Sequence, residues 1–459
     1  MNWIQKFLMN KIVYPNMCKQ KMMKILFLTV GLIFGISAWA QQDSLTVEEA
    51  VAVALRNNYD ILLSRNDSAI ASINYAYINA AFYPRLNATG TYLFNNNAQT
   101  QRLADGAEKT RTGITSSNLN AAINLNWVVF DGFKMFVARE QLAESIRLGN
   151  LIIKNQVVNT VSDVIKTYYD IVRQTQQLRN IREQQQLSAD RLRIARYRFD
   201  IGVGIKTDVL QAQIDFNTQK AAELNQLNTI AQRKQDLNLL MNVRRDVDYK
   251  VTDSIPVRSD LALGTILNNI TETSPALQIA NENIDVARLA VRSAKADRFP
   301  TVALTSAYSF SKVNNNAVIN PLQPLFNLNK GLNYGFTVSV PILNNFTVRR
   351  QIQQAQLAVN FQQLRYESLQ AITNRDVQKN YSAYAAQQSI ITVTDSIITY
   401  ARENLMIQRE RYRLGATTII DLRTAEQNLE NAITTYINAR YSAKIAETEL
   451  LRLRGEIIK

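Results

Sequence analysis

The chain has 459 residues, with 52 basic and 38 acidic side chains, one cysteine and no histidine. Serine–histidine triads and most zinc sites are therefore excluded, and Cys18 alone offers no internal disulfide. The excess positive charge is scattered along helical stretches, so nucleic acid, which is held by a concentrated basic face, is not an expected partner.

Residues 1–40 read as an export signal. Met22 to Ala40 carries a lysine, an apolar run from Ile25 to Ile36, and Ala38-x-Ala40 before Gln41. That is the pattern of a secretory signal peptide, and the run is shorter than the ~20 residues of a membrane-spanning helix. Translation from Met1, Met22 or Met23 fits equally. Cys18 lies upstream of the apolar run, so no lipid anchor is expected.

Next in the chain, Thr46-Val47-Glu48-Glu49 reads as a capping box opening a first helix. After Pro84 the period changes from helical to two. Leu86, Ala88, Gly90, Tyr92 and Phe94 alternate with Arg85, Asn87, Thr89 and Thr91. A second segment, Asn118 to Phe130, places Leu119, Ala121, Ile123, Leu125, Trp127 and Val129 opposite Asn118, Asn120, Ala122, Asn124 and Asn126. From Phe133 to Ile201 there is no proline and one glycine, which predicts a rod of about 100 Å. A turn around Gly202 and Asp208 then sends a second helix back.

The sequence now repeats. Pro84 is matched by Pro300, Phe130-Asp131-Gly132-Phe133 by Leu343-Asn344-Asn345-Phe346, and the Gly202/Asp208 turn by Gly415/Asp421. The second pair of alternating segments starts at Thr301 and runs to Val340. Val302, Leu304, Tyr308 and Phe310 form one apolar face, and Leu332, Tyr334, Phe336 and Val338 the other. Asn344 to Leu414 is another uninterrupted rod. Two copies are thus expected, at 41–255 and 256–459, each made of helix, β-hairpin, long helix and returning helix.

A soluble half-buried sheet alternates in the same way. Here the polar faces are almost free of charge, aromatics sit at both ends, the strands come in two hairpins, and the loops 95–117 and 312–331 are long on one side only. These features point to membrane strands with a wet lumen. Four strands are too few to close a barrel, and lipid tolerates no open edge. Copies of the chain must share one, and three copies give twelve strands.

The repeat, the Phe-Tyr-Pro and Phe-Pro strand entries, the Phe-Asp-Gly and Leu-Asn-Asn exits and the two Gly-x5-Asp turns together resemble the TolC family of outer-membrane efflux channels. The resemblance spans about Leu45 to Gly455. It implies a mainly α fold with β: duplicated long α-helical coiled-coil hairpins plus four transmembrane β-strands per chain. A homotrimer would form a 12-stranded barrel in outer-membrane lipid and an α-helical periplasmic tunnel. It implies a periplasmic adaptor (membrane fusion) protein and an inner-membrane pump as partners, and a non-enzymatic exit duct for efflux or type I secretion, with no cofactor. The alternative is a trimeric coiled-coil structural or adhesin-like protein of the outer membrane.

The resemblance also assigns the tip. Asp421 and Tyr412 match the gating aspartate and tyrosine, and Thr207 and Asp208 match the threonine and aspartate of the partner hairpin. The chain departs at Thr417, where the family has an arginine, and at Thr424, where it has a second ring aspartate; the acidic ring is thinner as a result. Read from the residues alone, Gly202 and Gly415 are helix C-caps, and Asp208 and Asp421 N-cap or first-turn residues. Arg198 and Arg411, in the basic runs before each turn, are cations favoured by the helix dipole or contacts for an adaptor.

Overall fold

The computed structural model describes residues 44–457 other than 103, 105, 245–248, 260 and 321; the predicted export signal lies outside them. Val47–Asn57 (α1) opens with the predicted capping box: Thr46 Oγ1 accepts from the Glu49 N–H, and the Glu49 carboxylate accepts from the Thr46 N–H. The single first helix expected from the sequence is two. Asn58 takes an extended conformation between α1 and Tyr59–Ala76 (α2), and its Oδ1 accepts from the N–H groups of Asp60 and Ile61. Its amide donates to the Leu240 carbonyl at 2.9 Å, fixing the break against a distant helix.

Arg85–Arg102 (β1) and Glu108–Phe130 (β2) lead into Lys134–Asp200 (α3) and Lys206–Met241 (α4). The second half follows the same order. Leu263–Asn268 (α5), Ile270–Thr273 (α6) and Pro275–Ala296 (α7) precede Thr301–Asn315 (β3), Phe326–Ser339 (β4), Thr347–Arg413 (α8) and Ile419–Arg454 (α9). At 67 residues each, α3 and α8 are rods of about 100 Å.

The helices stand side by side as a wall. Near the sheet the order across it is α2, α3, α7, α8; further away it is α4, α3, α9, α8. The interior helix α3 buries residues along much of its length, including Val161, Val164, Tyr168 and Ile171. The edges are different. On α8, Leu357, Phe361 and Leu364 recur at helical spacing and are each more than 60% exposed. Leu210, Ile214 and Leu224 on the opposite edge, α4, are also exposed. Midway along the wall α1 closes a core of Ala50, Ala54, Tyr168, Ile171, Leu237 and Ile255.

The four strands form one antiparallel sheet in the order β1-β2-β3-β4, so β1 and β4 are open edges. The register puts every predicted apolar face on the same side. Leu86 pairs with Leu125, Ile123 with Tyr308, and Tyr308 with Leu332, while Asn87 pairs with Asn124 and Ala307 with Asn333. A shift of register between Val128 and Phe130 moves Phe130 opposite Val302, onto the apolar side. The predicted long outer loops are corrected. β1 and β2 stay paired out to Arg102 and Glu108, and β3 and β4 out to Asn314 and Phe326, so most of 95–117 and half of 312–331 is strand. The extension of β1 and β2 is polar and does not alternate; backbone pairing maintains it, helped by side-chain bonds such as Thr100–Thr110 and Arg102–Glu108.

In both halves the chain passes from sheet to rod through two consecutive left-handed residues: Gly132 (φ 72°) and Phe133 (φ 69°), then Asn345 (φ 49°) and Phe346 (φ 58°). A side chain at Gly132 would collide with the Ala296 carbonyl, so close packing of α7 enforces glycine there. The Trp127 indole donates to the Phe82 carbonyl at 2.8 Å across the same junction.

Candidate functional site: the paired tips

The far ends of the rods carry both copies of the repeated turn. Each rod stops in the same way. Gly202 and Gly415 take φ of +80° and +78°. The N–H groups of Val203 and Gly202 donate to the carbonyls of Arg198 and Phe199, both at 3.0 Å. Those of Ala416 and Gly415 donate to Arg411 and Tyr412, at 2.8 and 3.1 Å. This is the Schellman stop, and it satisfies carbonyls that the helix end leaves open.

The restarts differ. Thr418, not an aspartate, is the N-cap of α9; Asp421 sits in the first turn and completes a capping box with it. One Asp421 carboxylate oxygen accepts from Thr417 Oγ1 (2.9 Å), the Thr418 N–H (3.1 Å) and Thr418 Oγ1 (2.7 Å). These bonds, those of Thr418 foremost, hold the carboxyl below the usual range, so it stays ionised. Thr417 therefore bonds within its own turn. Thr424 Oγ1 likewise donates back to the Ile420 carbonyl.

The start of α4 has no such device. Ile205 occupies the N-cap position without a side-chain bond, and Asp208 is in the first turn. Among the described residues neither Thr207 nor Asp208 makes a side-chain hydrogen bond to the second hairpin. The capping threonine is legible as Thr-x-x-Asp, one position after Thr417.

Arg198 and Arg411 occupy equivalent positions with unlike contacts. Arg411 donates to the Ala416 carbonyl of its own turn at 3.3 Å. Arg198 crosses to the other hairpin: its guanidinium lies 5.2 Å from the Tyr412 ring centre and donates to the Tyr412 carbonyl at 3.4 Å. Tyr412 is 2% exposed and packs on Leu405, Leu422, Ala425 and Leu429. Burial raises its phenol above the ordinary value, Arg198 opposes that rise, and the Asp208 charge adds to it. Asp208 thus faces Tyr412 electrostatically, while Arg198 makes the contact.

Arg191, at the start of the basic run before the first turn, belongs to a buried ion cluster. It is 3% exposed, donates to Asp215 on α4 at 2.8 Å, and pairs with Glu426 on α9. Arg423 stands 3.6 Å from the same Asp215. Burial pushes the Glu426 carboxyl up to about 6, although Arg191 pulls the other way. Arg409 and Arg193 share Asp190 at 2.8 and 3.1 Å. At the end of the tips, Tyr197, Ile201 and Val203 face Leu414 across an open groove of about 570 Å³.

A family model described as "Outer membrane efflux protein" matches residues 50–243 and 266–456. The chain belongs to the outer membrane efflux protein family. Its two matched stretches each contain one β-hairpin and one tip turn. The chain is 22% identical to the outer membrane protein TolC of Escherichia coli K12 over 447 residues, spanning 95% of this chain and 87% of that one. It is 23% identical to the outer membrane efflux protein BepC of Brucella suis biovar 1, spanning 96% and 91%. Among solved structures, it superposes on the CmeC outer membrane channel of Campylobacter jejuni with a TM-score of 0.74 at 15% identity, covering 90% of this chain and 86% of that one. A membrane protein of Pseudomonas aeruginosa gives a TM-score of 0.74 at 17% identity, covering 90% and 91%. At such identities the superpositions show the shared fold. As an outer membrane efflux protein the chain lies in the outer membrane, with the four strands as its membrane part; no helix among the described residues is long and apolar enough to cross a bilayer.

Proposed function

We propose that three copies of this chain form a passive, non-enzymatic exit duct for small molecules or proteins, fed by an inner-membrane pump through a periplasmic adaptor. The observation that carries this reading is the incompleteness of the single chain on both of its flanks. The sheet ends in two open edges with one apolar face, and the helical wall ends in exposed apolar stripes on α4 and α8. Each unpaired backbone group costs several kcal/mol in lipid, so copies must meet edge to edge. Closure by threefold repetition buries strand edges and helix stripes together. It turns the Asn/Thr face inward as a lumen continuous with the helical tunnel.

The adhesin-like alternative expects the strands to gather in one terminal anchor. Here they form two internal hairpins, each followed by a rod and a returning helix, which is support for reading 41–255 and 256–459 as duplicate halves.

In the trimer the tips would surround the axis as the constriction. The ionised Asp421 would appear three times there, making a negative ring that favours cations. Tyr412, Thr207 and Asp208 would line the contact between hairpins, with Thr417 and Thr424 holding the second turn in shape. Gly202, Gly415, Arg198 and Arg411 would shape the surface that an adaptor meets, the open groove included. Opening would separate the two hairpins and break the Arg198–Tyr412 contact, and an adaptor that binds the separated form better would drive it.

Planar-bilayer recording tests the duct. Wild type should give low-conductance, cation-selective channels, and Asp421→Ala should move the reversal potential toward zero. An unchanged reversal potential removes Asp421 from the constriction. A processed sample that stays monomeric and soluble without detergent overturns the barrel.

A further inference from the structure

The apolar face of the sheet carries two lysines. By register Lys330 pairs with Phe310, and Lys312 lies between Leu119 and Leu328. Phe310, Leu119 and Leu328 belong to the lipid side, so both lysines do too. Each ammonium sits against an aromatic ring: Lys330 at 5.5 Å from the centre of Phe310, Lys312 at 5.8 Å from that of Phe326.

Their height is telling. Lys312 is ten residues beyond Val302, where the apolar face begins. At about 3.3 Å per residue and a tilt of about 40°, that is about 25 Å above the periplasmic border. The apolar band of an outer-membrane barrel is about 25 Å tall. Lys312 therefore stands at the upper edge of the hydrocarbon, and Lys330 lies about one strand-pair row lower. The hairpin ends point away from the helical tunnel, so this edge is the outer leaflet.

Among the described residues no acidic side chain neutralises the pair. The sequence has none between Asp297 and Glu367. Glu108, the one acid in the four strands, is at the far tip of β2, bonded to Arg102 at 3.2 Å. Among the described residues neither lysine has an ion-pair partner. Asn314 and Ser117, paired with each other in the row above, add neutral donors on the same face.

Two neighbouring ammonium groups at the top of a hydrocarbon band, with aromatic flanks and no carboxylate, complement an anion borne by a lipid. We propose that Lys312 and Lys330, flanked by Phe310 and Phe326, bind the phosphates of a phosphorylated glycolipid headgroup in the outer leaflet. Its acyl chains would lie along Tyr308, Leu332 and Tyr334. The inference rests on the barrel reading of the sheet.

Native mass spectrometry of the trimer in mild detergent, titrated with bisphosphorylated lipid A, tests it. Lys312→Gln with Lys330→Gln should weaken lipid A binding about thirtyfold, and either change alone about fivefold. The double Lys→Arg variant should bind as wild type does. Lipid A stripped of both phosphates should bind wild type no better than intact lipid A binds the double Gln variant. Size-exclusion chromatography confirms that each variant remains a trimer; if wild type itself is not a detergent-bound trimer, the barrel reading fails first. Equal binding by wild type and the double Gln variant overturns the site. Full competition by an equimolar phosphatidylglycerol overturns the glycolipid assignment.

Discussion

The turn from α3 to α4 and the turn from α8 to α9 share a backbone stop, with Gly202 and Gly415 both left-handed, but only the second has a side-chain start. Thr418 and Asp421 cap α9 from within; α4 begins at Ile205 with no cap and relies on its neighbours. Arg198 leaves its own turn to hold Tyr412, while Arg411 stays in its turn. The second tip is thus self-contained, and the first is held by the second. When two such hairpins part, the bonds lost include Arg198–Tyr412, Arg191–Glu426, Arg409–Asp190 and Arg423–Asp215. Arg191–Asp215 and the Thr418–Asp421 box move intact with their own hairpins.

The largest break in this asymmetry comes from the buried ion cluster. Arg191→Leu leaves Asp215 and Glu426 without their shared partner, a loss of the kind that costs about 3–5 kcal/mol. Hydrogen exchange at the tips of α4 and α9 should accelerate by at least a hundredfold, while the core around Tyr168 stays protected. Unchanged exchange would show that the cluster does not join the hairpins.

Protonation gives the next effect. Glu426 holds its proton more tightly folded, at about 6 against an ordinary 4.5, because burial outweighs Arg191. Folding takes up a proton between those values. The tip should therefore lose about 2 kcal/mol as the pH rises through that window and be most stable below it. Glu449 runs the other way. Burial raises it, but Arg452 and Lys166 together bring it down to about 2, so its contribution is lost only as the medium becomes strongly acidic. The informative measurement is the difference between wild type and Glu426→Gln from pH 4.5 to 7, which should flatten the slope at the tip.

The caps give the smallest effects, with opposite signs. Thr418→Ala should destabilise the start of α9 by about 1 kcal/mol, and Ile205→Ser should stabilise that of α4 by about 0.5–1 kcal/mol by pairing with Asp208. Amide exchange in the two first turns reads both. A stabilised α4 would show that the missing cap is what separates the tips.

Much of the fold was legible because it is written in periods. Leu86 to Phe94 and Asn118 to Phe130 alternate, and the register confirms their shared face. The absence of proline, with a single glycine in the first rod and none in the second, marked the rods. What escaped detection was held by backbone or by distant partners. The polar run 95–102 continues β1 through pairing with 108–116 and not through an apolar face, and Asn58 breaks a helix through a bond to Leu240, 182 residues away. At the tip, Gly202 and Gly415 announced their left-handed turns. Arg191 looked like every other arginine of its run, since nothing local marks the one that faces α4 and α9.

The paired left-handed residues at 132–133 and 345–346 stand where the rods begin, closing a bridge of three residues after β2 and of seven after β4. Stiff corners of that kind leave the rods as levers anchored at the membrane. Over an arm of about 100 Å, a tilt of only 1° swings the far end by about 2 Å. A modest push delivered low on the rods can therefore be magnified into an aperture change at the tips while the lipid-embedded staves hardly move.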